Sequence, residues 1–130
     1  VDGDEAMIRI AIGLGCRLGC KADAITALVH RALTQAPDAA PIGLFTIADK
    51  CREPGLLAAA EYLALRLVFL PREALRAQPV HTPSPHAQAR FGVPSVAEAA
   101  ALAGAGPGAV LLLRRIAEAG ATCAIARAPS

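Results

Sequence analysis

Tryptophan is absent from the 130-residue chain and aromatic residues make up only 3% of it. It therefore lacks the stacking platforms on which single-stranded nucleic acids lie. Lysine is scarce too: of thirteen basic residues only Lys21 and Lys50 are lysines, and against eleven acids the net charge is +2. A balance so close to zero excludes the coating of nucleic acid or of an acidic membrane as the main role. No apolar run reaches the ~20 residues that span a bilayer, and the start lacks the basic and apolar stretches of a signal peptide. The four cysteines, Cys16, Cys20, Cys51 and Cys123, form no CxxC pair. Neither a disulfide framework nor a metal site is expected, and reduced thiols in the cytoplasm are the expectation. What is present is a 55% hydrophobic, alanine-rich chain, enough for one core and too short for two. The expected organisation is a frayed start over 1–6 and a single domain over 7–130.

The hydrophobic pattern predicts alternating strands and helices. Met7 to Leu14 is a β-branched run ending in glycine, and Ile25, Leu28, Val29, Ala32, Leu33 and Ala36 then fall on one helical face before Pro37. Ile42 to Ile47 reads as a second strand and Asp49 to Glu53 as a charged loop. Pro54 opens a helix, Arg66 to Leu70 is a third strand, and Pro71 begins a helical turn through Ala77. Three prolines in Gln78 to Pro85 exclude a helix interior and a central strand. Helical stretches at His86 to Phe91 and Ser95 to Ala103, a glycine and proline turn, and strands at Ala109 to Leu113 and Ala121 to Arg127 complete the chain. The last two strands lie too close for a helical crossover and should pair antiparallel. The expected fold is a three-layer α/β/α domain with a mixed, mainly parallel five-stranded sheet.

Candidate functional residues gather at strand ends. The stretch Gly13-Leu14-Gly15-Cys16-Arg17-Leu18-Gly19 joins the first strand to the first helix. It reads either as a tight turn or as a loop whose glycines and helix-start amides approach an anion. It lacks the dinucleotide and P-loop patterns. A helix start and Arg17 beside Cys16 would lower that thiol's pKa. Lys50, Arg52 and Glu53 follow the second strand, where local salt bridges are the simpler reading. Arg114 and Arg115 are expected in an exposed hairpin turn. His81, Thr82, Ser84 and His86 offer hydrolase chemistry on paper, but no Gly-x-Ser-x-Gly elbow accompanies them, and Ser84-Pro85 looks like a helix start. Ser95-Val96-Ala97-Glu98 has capping-box spacing, which makes Glu98 structural. His30 falls on the polar face of the first helix.

GLGCRLG at 13–19, DKCREPGL at 49–56, PSP at 83–85, GVPSVAEAAAL at 92–102 and TCAIAR at 122–127 occur in this order. Together they resemble the CobE/CbiG C-terminal domain family of cobalamin biosynthesis, along nearly the whole chain. The resemblance implies a three-layer α/β domain acting on tetrapyrrole intermediates. Two-domain members open the lactone of a ring-contracted cobalt-precorrin-5A and release acetaldehyde. At 130 residues the chain looks like the free-standing CobE form, for which binding or trafficking of a corrinoid is the expectation. Arg114 and Cys20 stand where members often carry lysine and a hydroxyl residue. A corrin precursor is a broad apolar macrocycle fringed with carboxylates, which arginine forks suit. The expected ligand-binding set is Gly13, Gly15, Cys16, Arg17, Gly19, Lys50, Arg52, Ser84, Arg114 and Arg115. Lys50 and Glu53 are the candidates for catalysis should there be any. No cofactor and no metal is expected. The expected partners are a corrinoid intermediate and other corrin-pathway enzymes, with no nucleic acid and no membrane.

Overall fold

The computed structural model describes residues 7–129, so the expected frayed segment 1–6 lies outside the described residues. The first apolar run forms β1 (Ile8–Cys16), which starts one residue later than its hydrophobic signal and ends two residues beyond it. Ile10, Ile12 and Leu14 point to one face, while Ala11, Gly13 and Gly15 point to the other. Helix α1 (Ala22–Leu33) follows, then β2 (Ala39–Ile47) and a short 3-10 turn (Ala48–Lys50). Strand β2 starts earlier than its apolar run because Pro41 is tolerated there. The short neighbouring strand β3 (Leu67–Leu70) pairs only with Leu44 to Ile47, so no ladder bond on that side needs the missing N–H.

Helix α2 (Pro54–Leu63) carries proline in its first turn as expected, and α3 (Arg72–Arg76) follows Pro71. Helix α4 (Pro85–Phe91) starts at Ser84, whose hydroxyl accepts the Ala87 N–H at 3.1 Å. Helix α5 (Ala97–Ala105), β4 (Val110–Glu118) and β5 (Ala121–Arg127) end the fold. The sheet order is β3-β2-β1-β5-β4. Pairing is parallel through β3, β2 and β1, and β5 runs antiparallel to both its neighbours, so four strands share one direction.

The three layers are clear from the core. Helices α1 and α2 bury Ile25, Leu28, Val29 and Leu56 against Ile10, Ile12, Leu14 and Ile125. On the opposite face the alanines of α5 meet Ala11, Phe45, Ala124 and Ala126, and α3 and α4 extend that layer through Leu75 and Phe91. Small residues on both sides bring α5 unusually close. A Cβ built on Gly13 would lie 1.9 Å from the Ala97 carbonyl oxygen, and one on Gly104 would lie 2.4 Å from the Phe45 ring.

Strand β4 corrects the sequence reading. It runs to Glu118, so Arg114 and Arg115 lie within the strand, and the turn is Ala119-Gly120 with φ of 54° and 85°. Register shifts between Leu111 and Leu113 and between Leu113 and Ile116 make β4 bulge against β5. Those bulges interrupt the two-residue alternation by which the strand would have been recognised. Among the described residues no helix is long and apolar enough to cross a membrane.

Candidate ligand-binding site

Because β1 and β2 are parallel, their carboxyl ends meet at one rim of the sheet, and the β4–β5 hairpin arrives at the same rim from the other side. A cavity of about 800 Å³ opens there, on the face covered by α4 and α5. This lies within the size range of small-molecule sites. Gly15, Cys16 and Arg17 form its floor and one lip, Lys50 comes from the end of β2, and Arg115, Ala117, Gly120 and Thr122 come from the hairpin. His86, Arg90 and Phe91 of α4, with Ser95 and Val96 before α5, complete the walls.

Several expected residues serve the frame of the site instead of its surface. Gly13 and Gly19 are outside the lining. Gly13 lies under α5, and the Gly19 N–H donates to Glu53 Oε1 at 3.0 Å. Glu53 is only 6% exposed and is likewise outside the lining, so its carboxylate pins the loop after β1. The neighbouring residues of the same motif have equally local tasks: Pro54 opens α2, and a Cβ on Gly55 would lie 2.0 Å from the Cys20 carbonyl oxygen. Arg52 and Arg114 are exposed and outside the lining. Ser84 lines the cavity while capping α4. No residue of α1 lines the cavity, so the helix start expected to face an anion does not do so.

The cavity nevertheless concentrates positive charge. Arg17, Lys50, Arg90 and Arg115 line it, and none of these side chains is ion-paired among the described residues. The one lining carboxylate among the described residues, Glu118, is engaged at 2.5 Å by Arg31 of α1. Arg17 is held by its backbone N–H, which donates to the Gly120 carbonyl at 2.9 Å, leaving the exposed guanidinium free to turn. Asp49, just outside the lining, is taken by Arg72 through two bonds of 2.6 and 3.1 Å. Hydrogen bonding to Arg72, opposed by partial burial, lowers the Asp49 pKa. The guanidinium groups of Arg72 and Arg90 both lie over the Phe91 ring, at 5.5 and 5.6 Å.

Two readings of reactive groups need correction. Cys16 has its pKa pushed up to about 11: burial raises it, Glu53 and Cys20 add to the rise, and Lys50 only partly opposes it. It is a neutral thiol, and the expected depression is not found, because burial outweighs the attraction of Lys50. Alkylation of Cys16 by iodoacetamide at pH 7.5 should accordingly run about tenfold or more slower than that of an unperturbed cysteine, as mass spectrometry of the labelled peptides would measure. Labelling at the unperturbed rate would contradict this protonation state.

Glu98 forms only half of the expected capping box. Its backbone N–H does donate to Ser95 Oγ at 3.3 Å. Its carboxylate, however, turns away from the cap amide to accept from the backbone N–H groups of His81, Thr82 and Arg115, each at 2.8 Å. Burial opposes the charge, but those donors and the Thr82 hydroxyl outweigh it and lower the pKa.

The model of the cobalamin synthesis G C-terminus matches residues 10–126. The chain belongs to that family. It is 38% identical over 122 residues to Protein CobE of a Sinorhizobium species, covering 90% of this chain and 79% of that one. Against the crystal structure of CobE, a protein from the cobalamin biosynthetic pathway, it superposes with a TM-score of 0.84 at 35% identity, over 92% of this chain and 90% of the other. Against the cobalamin biosynthesis protein chiG of Agrobacterium tumefaciens the TM-score is 0.73 at 35% identity, covering 93% and 99%. A cobalamin biosynthesis protein G homologue of Sulfolobus solfataricus shares the fold at 20% identity and a TM-score of 0.64, with 94% of this chain matching 37% of that longer one. The protein is thus a cobalamin biosynthesis protein of the G C-terminal family. Much of the motif by which the family is recognised, Gly13, Glu53-Pro54-Gly55 and Ser95, builds the frame on which this cavity rests.

Sequence reasoning missed Arg90 and Phe91. The available signal was the i, i+4 spacing of His86 and Arg90 after the Ser84-Pro85 helix start, which places both on one side of α4.

Proposed function

We propose that this protein binds a carboxylate-rich corrin or precorrin intermediate in the cavity at the rim of the sheet, and holds or delivers it between cytoplasmic enzymes of the pathway. One observation carries the reading: Arg17, Lys50, Arg90 and Arg115 reach a single cavity of about 800 Å³ from four different elements without carboxylate partners among the described residues. Cations so placed suit acid groups spread around a macrocycle, and the Phe91 ring with the Val96 and Ala117 side chains suits its apolar body. Hydrolytic opening of the lactone of a ring-contracted precorrin is the competing function. It is disfavoured because, of its two candidate residues, Glu53 is spent on the Gly19 N–H and lies outside the lining, which leaves Lys50 in the cavity without the carboxylate.

A visible-absorption titration with cobyrinic acid and with uroporphyrin tests this. Saturable spectral change with either is the expected result, and no change with both would overturn the reading. Incubation with cobalt-precorrin-5A gives the second readout: acetaldehyde above a no-protein control would replace the carrier with the hydrolase.

A further inference from the structure

Glu98 is a buried charge without a buried counter-charge. It is 0% exposed, and among the described residues no cationic side chain pairs with it. Its charge is met by backbone dipoles, which include the first turn of α5 on which it sits. The donors come from parts of the chain far apart in sequence. His81 and Thr82 share Oε1, and Arg115 takes Oε2. Arg115 lines the cavity, and His81 and Thr82, themselves outside the lining, lead into the α4 wall. Thr82 is two residues before the Ser84 cap of α4, the helix that carries His86 and Arg90 into the site. The two ends of the α4 segment are further closed by the Ser84 N–H, which donates to the Pro94 carbonyl at 2.8 Å. Arg115 lies in the bulged part of β4, and its N–H turns to Glu98 while the residue lines the cavity.

We propose that Glu98 is a positioning residue that braces the α4 wall against the β4 wall and so sets the spacing of Arg90 and Arg115 across the site. The proposal rests on the reading of the cavity as a carboxylate-binding site and adds what fixes its dimensions. The chemistry of the brace requires a carboxylate. An ionised carboxyl group only accepts, so both oxygens can serve N–H donors. A glutamine offers one accepting oxygen and one NH2 group, and the NH2 would confront either Arg115 or the His81 and Thr82 pair. One wall is then released whichever way the amide turns. Because the guanidinium of Arg115 takes no part in the brace, it stays available for a ligand acid.

The test is a double-mutant cycle in the full chain, with cobyrinic acid as the probe and absorption titration as the readout. Circular dichroism first establishes that Glu98→Gln is folded at the working temperature. The folded variant should bind the probe at least about tenfold more weakly. Arg115→Ala should weaken the unaltered protein but add less than about twofold in the Glu98→Gln background, since the arginine has already lost its place. Equal affinity of Glu98→Gln and the unaltered protein, or losses that multiply in full, would overturn the brace while leaving the binding function intact. If the unaltered protein binds no probe, the carboxylate site itself fails and the brace with it. Should Glu98→Gln not fold, hydrogen exchange on the unaltered protein decides. The amides of His81, Thr82 and Arg115 are expected to gain protection together on binding cobyrinic acid. Protection of Arg115 alone would refute the coupling.

Discussion

Replacing Gly13 with alanine should destabilise the fold by about 3 kcal/mol, the upper part of the range for overpacked cores. The added Cβ would lie 1.9 Å from the Ala97 carbonyl oxygen and 2.6 Å from the Ala101 nitrogen, both backbone atoms of α5. No side-chain rotation relieves such a contact, so the helix must lift away from β1. Lifting α5 also moves Val96 and Ser95, which line the cavity, and the variant should lose ligand affinity along with stability. Gly19→Ala is the control from the same motif. Nothing lies within 4 Å of its Cβ position, but its φ is +78°, so the expected cost is only the ~1 kcal/mol of a left-handed backbone. Urea denaturation of the two variants measures the difference, and equal costs would contradict the close approach of α5.

The second large effect concerns the cations. Arg17→Ala combined with Arg115→Ala should weaken cobyrinic acid binding by about 3 to 6 kcal/mol, from ~1.5–3 for each charge-assisted contact. Arg17 and Arg115 belong to different elements, and Arg17 is exposed, so thermal melting should change little. Arg52→Ala and Arg114→Ala remove the same charge from positions outside the lining. They should cost only the salt-sensitive, long-range part of the attraction, within about 0.5 kcal/mol at physiological ionic strength. Isothermal titration of the variants separates the two cases. Losses of equal size at all positions would mean that the ligand responds to overall charge and not to this cavity.

Strands and helices with an uninterrupted period were legible in the sequence: β5 occupies the residues expected of it, and α2 and α4 begin at their prolines. The extent of β4 was not, since its bulges break the period that marks a strand. The site was legible only as a set of cations near one rim. Composition and spacing could nominate Arg17, Lys50 and Arg115, which line the cavity, but equally Arg52 and Arg114, which do not, because a local pattern carries no information on which exposed side chain meets a distant element. The glycine-rich motif misled in an instructive way. Glycine permits close approach of any partner, and at Gly13 the partner is a helix backbone. Glu98 shows the converse: its spacing from Ser95 selected a local bond, yet donors brought by tertiary structure were the better partners for the carboxylate.

The position of β5 has a consequence for how the molecule is made. This strand follows every other described element, yet it fills the slot between β1 and β4. Until it emerges from the ribosome, one long side of β1 is an open ladder able to recruit a stranger's strand, and the cavity lacks a wall. The nascent protein is therefore at its most aggregation-prone just before β5 is added, and the same late closure completes both the sheet and the cavity.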